Sequence, residues 1–273
     1  MNTIALSEEM NTAVLADGMT KYEKISIALA IAALVISVLV PLIQWIYREK
    51  RKAVLKYYPT GHAFAYCNLS GSYIRIDGVF EALKRAISLK KVSISIVRKK
   101  DEKKLNLEWL KFYSPASQSI MGLQASAEEL AHPFRIDADH VACAFIEFSD
   151  PSDSAGKAIR PEYNKLFEDC KKIKASEPDY NKALSLLKGM ESYSELKAAL
   201  KKELFWENGE YQATITATYA EKQEVFIVTT SVSETQYAQF LSGIEELCII
   251  QLKNLYGIQG NYQSVLLDIK DGK

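Results

Sequence analysis

Residues 25–47, ISIALAIAALVISVLVPLIQWIY, run for 23 positions without a charged side chain. At a helical rise of about 1.5 Å per residue the run reaches roughly 34 Å, enough to cross a hydrocarbon core of about 30 Å with some tilt. A helix buried in a soluble core carries a polar stripe at a period near 3.6, and here polar side chains are confined to Ser26, Ser37 and Gln44. The segment therefore reads as a single transmembrane helix. Tyr22 on one flank and Trp45 and Tyr47 on the other suit the headgroup layer, and Pro41 sits in the last third, where a span tolerates it or kinks.

The charges around the run predict its direction. Lys21 and Lys24 precede it, whereas Arg48, Lys50, Arg51, Lys52 and Lys56 follow. The positive-inside asymmetry places the carboxyl-terminal side in the cytosol, in a bacterial inner membrane, with residues 1–24 outside. That tail carries Glu8, Glu9, Asp17 and Glu23, which argues against a transit peptide, and it lacks the small-residue cleavage site of a secretory signal. It is too short to fold alone and is expected to be disordered. Within the span, Ser26, Ala30, Ala33 and Ser37 recur at steps of four, three and four, a stripe of small residues on one face that suits a helix dimer, although such residues are common in any span.

The 34 acidic and 34 basic residues balance, which removes the electrostatic case for nucleic acid as a partner. The helix is expected to continue as a basic stalk over 48–60, through Tyr58, until Pro59, Thr60 and Gly61 break it. Residues 61–273 then form the cytosolic domain. Ile74, Ile76, Gly78 and Phe80 alternate with Tyr73, Arg75, Asp77 and Val79, and Val92, Ile94 and Ile96 alternate with serines, so both stretches read as strands with one buried face. The charged run 98–104 reads as a hairpin tip before Leu105, Leu107 and Trp109. Residues 134–148, FRIDADHVACAFIEF, read as one central strand.

The pattern changes to helix over 160–205. Pro161 suits a first helical position, Ser176 and Asp179 flank Pro178 at a second start, and Ser192 with Glu195 has the spacing of a capping box. This piece looks like an insertion between strands. Strands return through Tyr211, Ala213, Ile215, Ala217 and Tyr219, and again over 225–229. Ser233 and Gln236 form another capping box ahead of a long amphipathic helix that reaches Gly257, and residues 262–269 make a last strand.

Trp206, Glu207, Asn208, Gly209, Glu210 and Tyr211, followed by alternating Ile215 and Tyr219 and then an apolar strand, resemble the late hairpin of immunoglobulin-like or fibronectin-like domains. The resemblance covers about 25 residues and implies a β-sandwich, here interrupted by the helical insertion and followed by the long helix.

Chemistry is sparse. Asp137, Asp139 and His140 are the tightest group of acids and imidazole, but on an extended strand the two aspartates share a face and His140 points away, so a metal site is not expected. No G-x-S-x-G turn, phosphate loop or C-x-x-C occurs, and no cofactor is expected. His62 and His132 read as loop histidines. Cys67, Cys143, Cys170 and Cys248 each neighbour apolar residues and read as buried free thiols in a reducing compartment; the alternative is a Cys67–Cys143 disulfide in an oxidising one. Asn68, Leu69 and Ser70 make a glycosylation acceptor only on the lumenal side. The function expected is a membrane-tethered, non-enzymatic binding or scaffolding protein whose partners are the lipid bilayer and another protein, with a homodimer through the span. The alternatives are an enzyme at Asp137, Asp139 and His140, or a membrane-acting effector or sensor working through oligomerisation of the span.

Overall fold

Thr20 and Glu23 open the first helix, α1 (Lys21–Lys50), with reciprocal bonds: the Thr20 amide donates to Glu23 Oε2 at 2.7 Å and the Glu23 amide to Thr20 Oγ1 at 3.4 Å. The computed structural model describes residues 20–50, 52–114, 119–120, 123–124, 127–260 and 262–272. Residues 1–19 of the tail expected to be disordered, and most of the polar loop after Tyr113, lie outside the described residues. The chain divides into two units, Met1–Lys52 and Ala53–Lys273. Within Lys21–Tyr47 an 18-residue stretch has a mean hydropathy of 2.8, and α1 is the one helix among the described residues long and apolar enough to cross a membrane. It stops at Lys50, and a strand starts at Val54. The stalk predicted to run helically through Tyr58 is thus corrected: Tyr57, Tyr58 and the residues after them favour strand, and the 59–61 breaker is absorbed as a register shift between Pro59 and Ala63.

The second unit is a closed barrel. Its strands are β1 (Val54–Asn68), β2 (Gly71–Leu83), β3 (Ile87–Arg98), β4 (Lys104–Ser114), β9 (His140–Ser149), β10 (Gly209–Tyr219), β11 (Lys222–Val232) and β12 (Ser264–Asp271). Antiparallel neighbours run β4–β9–β2–β1–β12–β11–β10–β3, and β3 pairs back onto β4 through Ile94↔Leu107 and Ile96↔Leu105. That last pairing overturns the immunoglobulin-like sandwich, which needs two separate sheets with open edges. Alternation of apolar and polar residues is common to both architectures, so the period alone misled. Two short strands, β5 (Ser119–Ile120) and β6 (Leu123–Gln124), pair with each other, while β7 (Ala127–Leu130) extends β4 and β8 (Phe134–Ile136) extends β3 where those two strands part.

The barrel interior is packed solid by matching small residues to large ones across the ladder. Ala63 faces Ile76 and Leu267, Ala65 faces Ile74 and Val265, and Ala213 faces Ile96 and Val228, all of them buried. Gly78 is required at its position: a Cβ there would lie 2.3 Å from the Tyr57 ring, which covers it and reaches Phe80 at 4.9 Å between centroids.

Four helices pack on one another, two of them against the barrel: α2 (Ser154–Ser176), α3 (Tyr180–Lys188), α4 (Glu191–Glu203) and α5 (Glu234–Leu255). α5 lies on β1 and β12, and α2 on β2. Trp206, fully buried, joins the helices to the barrel by stacking on Phe240 of α5 at 6.0 Å and meeting Tyr211 of β10 at 5.4 Å. Arg98, 3% exposed, ties the same region together through Asp101 and Glu207, each at 2.6 Å, and the Phe205 carbonyl at 3.1 Å. The predicted box at Ser233 and Gln236 is present, and Gly257 follows α5 at φ +70°.

Three local expectations change. α2 begins six residues before Arg160, because the Asp150 carboxylate accepts the amides of Ser152 and Ser154, and Pro161 falls inside the helix. Ser192 is no cap; its hydroxyl donates to Asp169 at 2.8 Å. Residues 134–148 are two strands, since Asp139 adopts φ 60° in a turn between β8 and β9. All four cysteines are free, but Cys143 is exposed on the outside of β9 while Cys67 is buried inside β1, so the two cannot bridge. Burial pushes the Cys67 thiol up to about 12.

Candidate functional site

With the interior filled, polar chemistry is left to the outer face of the barrel. On β1, β2, β9 and β4 the outward positions bring together residues far apart in the chain. Arg75 lies opposite Phe64 on one side and Glu147 on the other, Tyr73 opposite Tyr66, and Glu147 opposite Lys111.

Glu147 is the centre of this wall. It is 4% exposed, although it points away from the barrel core. The Tyr113 hydroxyl donates to its Oε2 at 2.6 Å, and the Tyr66 phenol feels the same carboxylate. Burial, reinforced by that carboxylate, pushes both phenols well above the ordinary tyrosine range, so both remain donors. The Tyr66 and Tyr73 rings stack at 5.0 Å, 14° from parallel.

Arg75 sits beside this group with its guanidinium 4.2 Å from the Phe64 ring centre and 5.2 Å from that of Tyr113. Its Nε meets Asp77 Oδ1 at 3.2 Å, yet both atoms are buried and fall short of a hydrogen bond. Burial raises the Asp77 carboxyl above its usual range, and Arg75 only partly opposes this. Lys111 pairs with Glu128 at 2.9 Å, a contact that raises the ammonium. The result is a half-buried wall of four aromatic rings, three carboxylates and two cations.

The structure disperses the residues singled out in the sequence. Asp137 pairs with Arg135 at 3.1 Å, Asp139 Oδ1 accepts the Lys84 amide at 2.9 Å, and His140 Nδ1 lies 2.9 Å from the Ala138 carbonyl. They shape a turn, and no group of His, Cys, Asp or Glu among the described residues is placed to hold a metal. Ser26, Ala30, Ala33 and Ser37 lie along α1, exposed, with the Ser37 hydroxyl bonded back to the Leu34 carbonyl at 2.7 Å. His132 packs edge-on to Phe112, and His62 lies 3.7 Å from Asp268. Sequence reasoning passed over Glu147, although an acid between Ile146 and Phe148 at the end of an apolar run was a visible anomaly.

No family model and no curated protein matches the chain. Among solved structures it is similar to a family 123 glycoside hydrolase from Clostridium perfringens, studied for glycolipid glycan hydrolysis. The identity is 10% and the TM-score 0.27, over 64% of this chain and 26% of the hydrolase, so the chain spans about a quarter of that protein. A likeness this loose bears on neither fold nor activity.

Proposed function

We propose that the chain is a membrane-tethered, non-enzymatic binding module, in which α1 spans the bilayer, the barrel lies in the cytosol, and the outer wall around Glu147 receives a protein partner. The observation that carries this reading is the buried carboxylate on the outside of a barrel whose interior is already full. Withdrawing a carboxylate from water is costly, and a barrel wall needs no such group to close. Aromatic rings around a paired arginine are the composition of interface cores. The length and hydropathy of α1 support the span. The excess of cations after it supports the orientation.

Cys143 supplies the test of topology, because it is the exposed cysteine while Cys67, Cys170 and Cys248 are buried. A membrane-impermeant maleimide is expected to leave Cys143 unlabelled in intact cells and to label it after permeabilisation. Labelling in intact cells would put the barrel outside. A photo-crosslinking residue in place of Tyr73 tests the wall: it should capture one discrete protein in living cells, and the capture should vanish with Glu147→Gln. Failure to capture any protein would remove the binding reading.

A further inference from the structure

Arg75 and Arg98 both lie against aromatic rings, and the protein treats them differently. Arg98 has its donors filled. Its Nε and Nη2 donate to the Asp101 carboxylate at 2.8 and 2.6 Å, and its Nη1 donates to the Phe205 carbonyl at 3.1 Å and lies 2.6 Å from Glu207. Arg75 donates no hydrogen bond to any described residue, although its side chain is only 29% exposed. Asp77 is its ionic neighbour, 3.2 Å from Nε but out of line for a bond. The guanidinium is nevertheless held in place, between the Phe64 ring at 4.2 Å and the Tyr113 ring at 5.2 Å. A guanidinium mostly withdrawn from water with its donors unused is a costly arrangement in the free chain. It is also a preorganised fork, flat and ready for a planar pair of oxygens.

We propose that Arg75 is the specificity residue of this wall, and that its guanidinium receives the carboxylate of an aspartate or glutamate side chain of the protein partner. The proposal rests on the binding reading above and names what the wall recognises. A cation of the partner would meet Arg75 itself, and Glu147, 4% exposed and already bonded to the Tyr113 hydroxyl, is out of its reach. A phosphate, with close to two charges, fits less well than a carboxylate with one. Glu147 lies opposite Arg75 across β2 and β9, and Asp77 lies beside it, so every further negative charge on the partner is opposed by both. Phe64 and the stacked Tyr66 and Tyr73 rings flank the fork, which places the partner's acid within an apolar or aromatic stretch.

The test uses the full-length protein in living cells, with the photo-crosslinking residue in place of Tyr73. Capture of a discrete partner is expected, falling at least about tenfold with Arg75→Lys, because a point ammonium does not reproduce the fork. Mass spectrometry of the product should find an Asp or Glu of the partner within a few residues of the crosslink. Changing that residue to its amide should lower capture as much as Arg75→Lys does, and the two changes together should cost no more than either alone. The partner-side change leaves this chain untouched, so a variant that fails to fold cannot imitate the result. Undiminished capture with Arg75→Lys, losses that add, or a captured segment carrying a phosphate group in place of the acid would overturn the proposal and leave the binding reading standing. Absence of any capture by the parent would remove both.

Discussion

The wall on β1, β2, β9 and β4 and the wall on β3, β10 and β11 enclose the same apolar core, yet one buries charge against rings while the other sets the outward Ser93, Ser95, Thr214 and Thr216 beside the exposed Val225 and Ile227. Both satisfy the same ladder and the same alternation, so neither surface is dictated by closing the barrel. The charged wall has drawn its polar groups out of water and paired them with each other; the neutral wall leaves its polar groups to water. That contrast predicts opposite sensitivities. Removing a side chain from the first should disturb stability as a core change does, whereas removing one from the second should leave stability nearly unchanged.

Glu147→Ala is the largest expected break. It strips the acceptor from the Tyr113 hydroxyl and opens a hole beside it, an expected loss of about 3 kcal/mol. Thr216→Ala on the neutral wall should stay within about 0.5 kcal/mol. Urea unfolding in detergent compares the two, with an altered midpoint at constant slope reporting stability. Equal losses would mean that the walls do not differ as described.

Tyr113→Phe asks how much of that loss belongs to one bond. A hydrogen bond to a charged acceptor contributes about 1.5 kcal/mol, and the single change should lose about that. Combined with Glu147→Gln in a double-mutant cycle, the coupling should be about 1 kcal/mol or more; a coupling near zero would place the stabilisation in ring packing around Arg75 instead.

Several of these contrasts were visible before the fold was known, and the reasons the others were not are physical. Alternation marked β2, β3 and β10, and Ser233 with Gln236 marked the start of α5, because these are signals carried within a few residues. The β3–β4 hairpin was visible in the charged run 98–104, but closure was hidden because it depends on β10 meeting β3, as in Ile215↔Ile94, and on β12 returning to β1 across some two hundred residues, as in Ala63↔Leu267. β1 was hidden by Pro59 and Gly61, which read as a breaker until a register shift accommodates them. Asp137, Asp139 and His140 drew notice because they adjoin in sequence, and they proved to shape a turn. The charged wall draws Arg75, Tyr113 and Glu147 from three strands, so no local window contained it.

Asp77 offers the smallest effect and the opposite sign. Burial raises its carboxyl above the usual range in the folded chain, against the opposing pull of Arg75. The folded state then holds its proton more firmly than the unfolded chain between the ordinary and the raised value, so stability falls as pH climbs through that interval. Asp101 behaves the other way: hydrogen bonding from Arg98 holds it down at about 2, and its contribution, complete above the ordinary aspartate range near 4, is lost as pH falls toward 2. Asp77→Asn should therefore stabilise at neutral pH, by no more than about 0.5 kcal/mol because Arg75 loses its partner in the exchange. Melting curves from pH 3 to 8 should show the gain at the neutral end and none below about 4, where the wild-type carboxyl is already protonated. A loss at pH 7 would show that the Arg75 ion pair outweighs desolvation, and that the charged wall is stabilised by its charges.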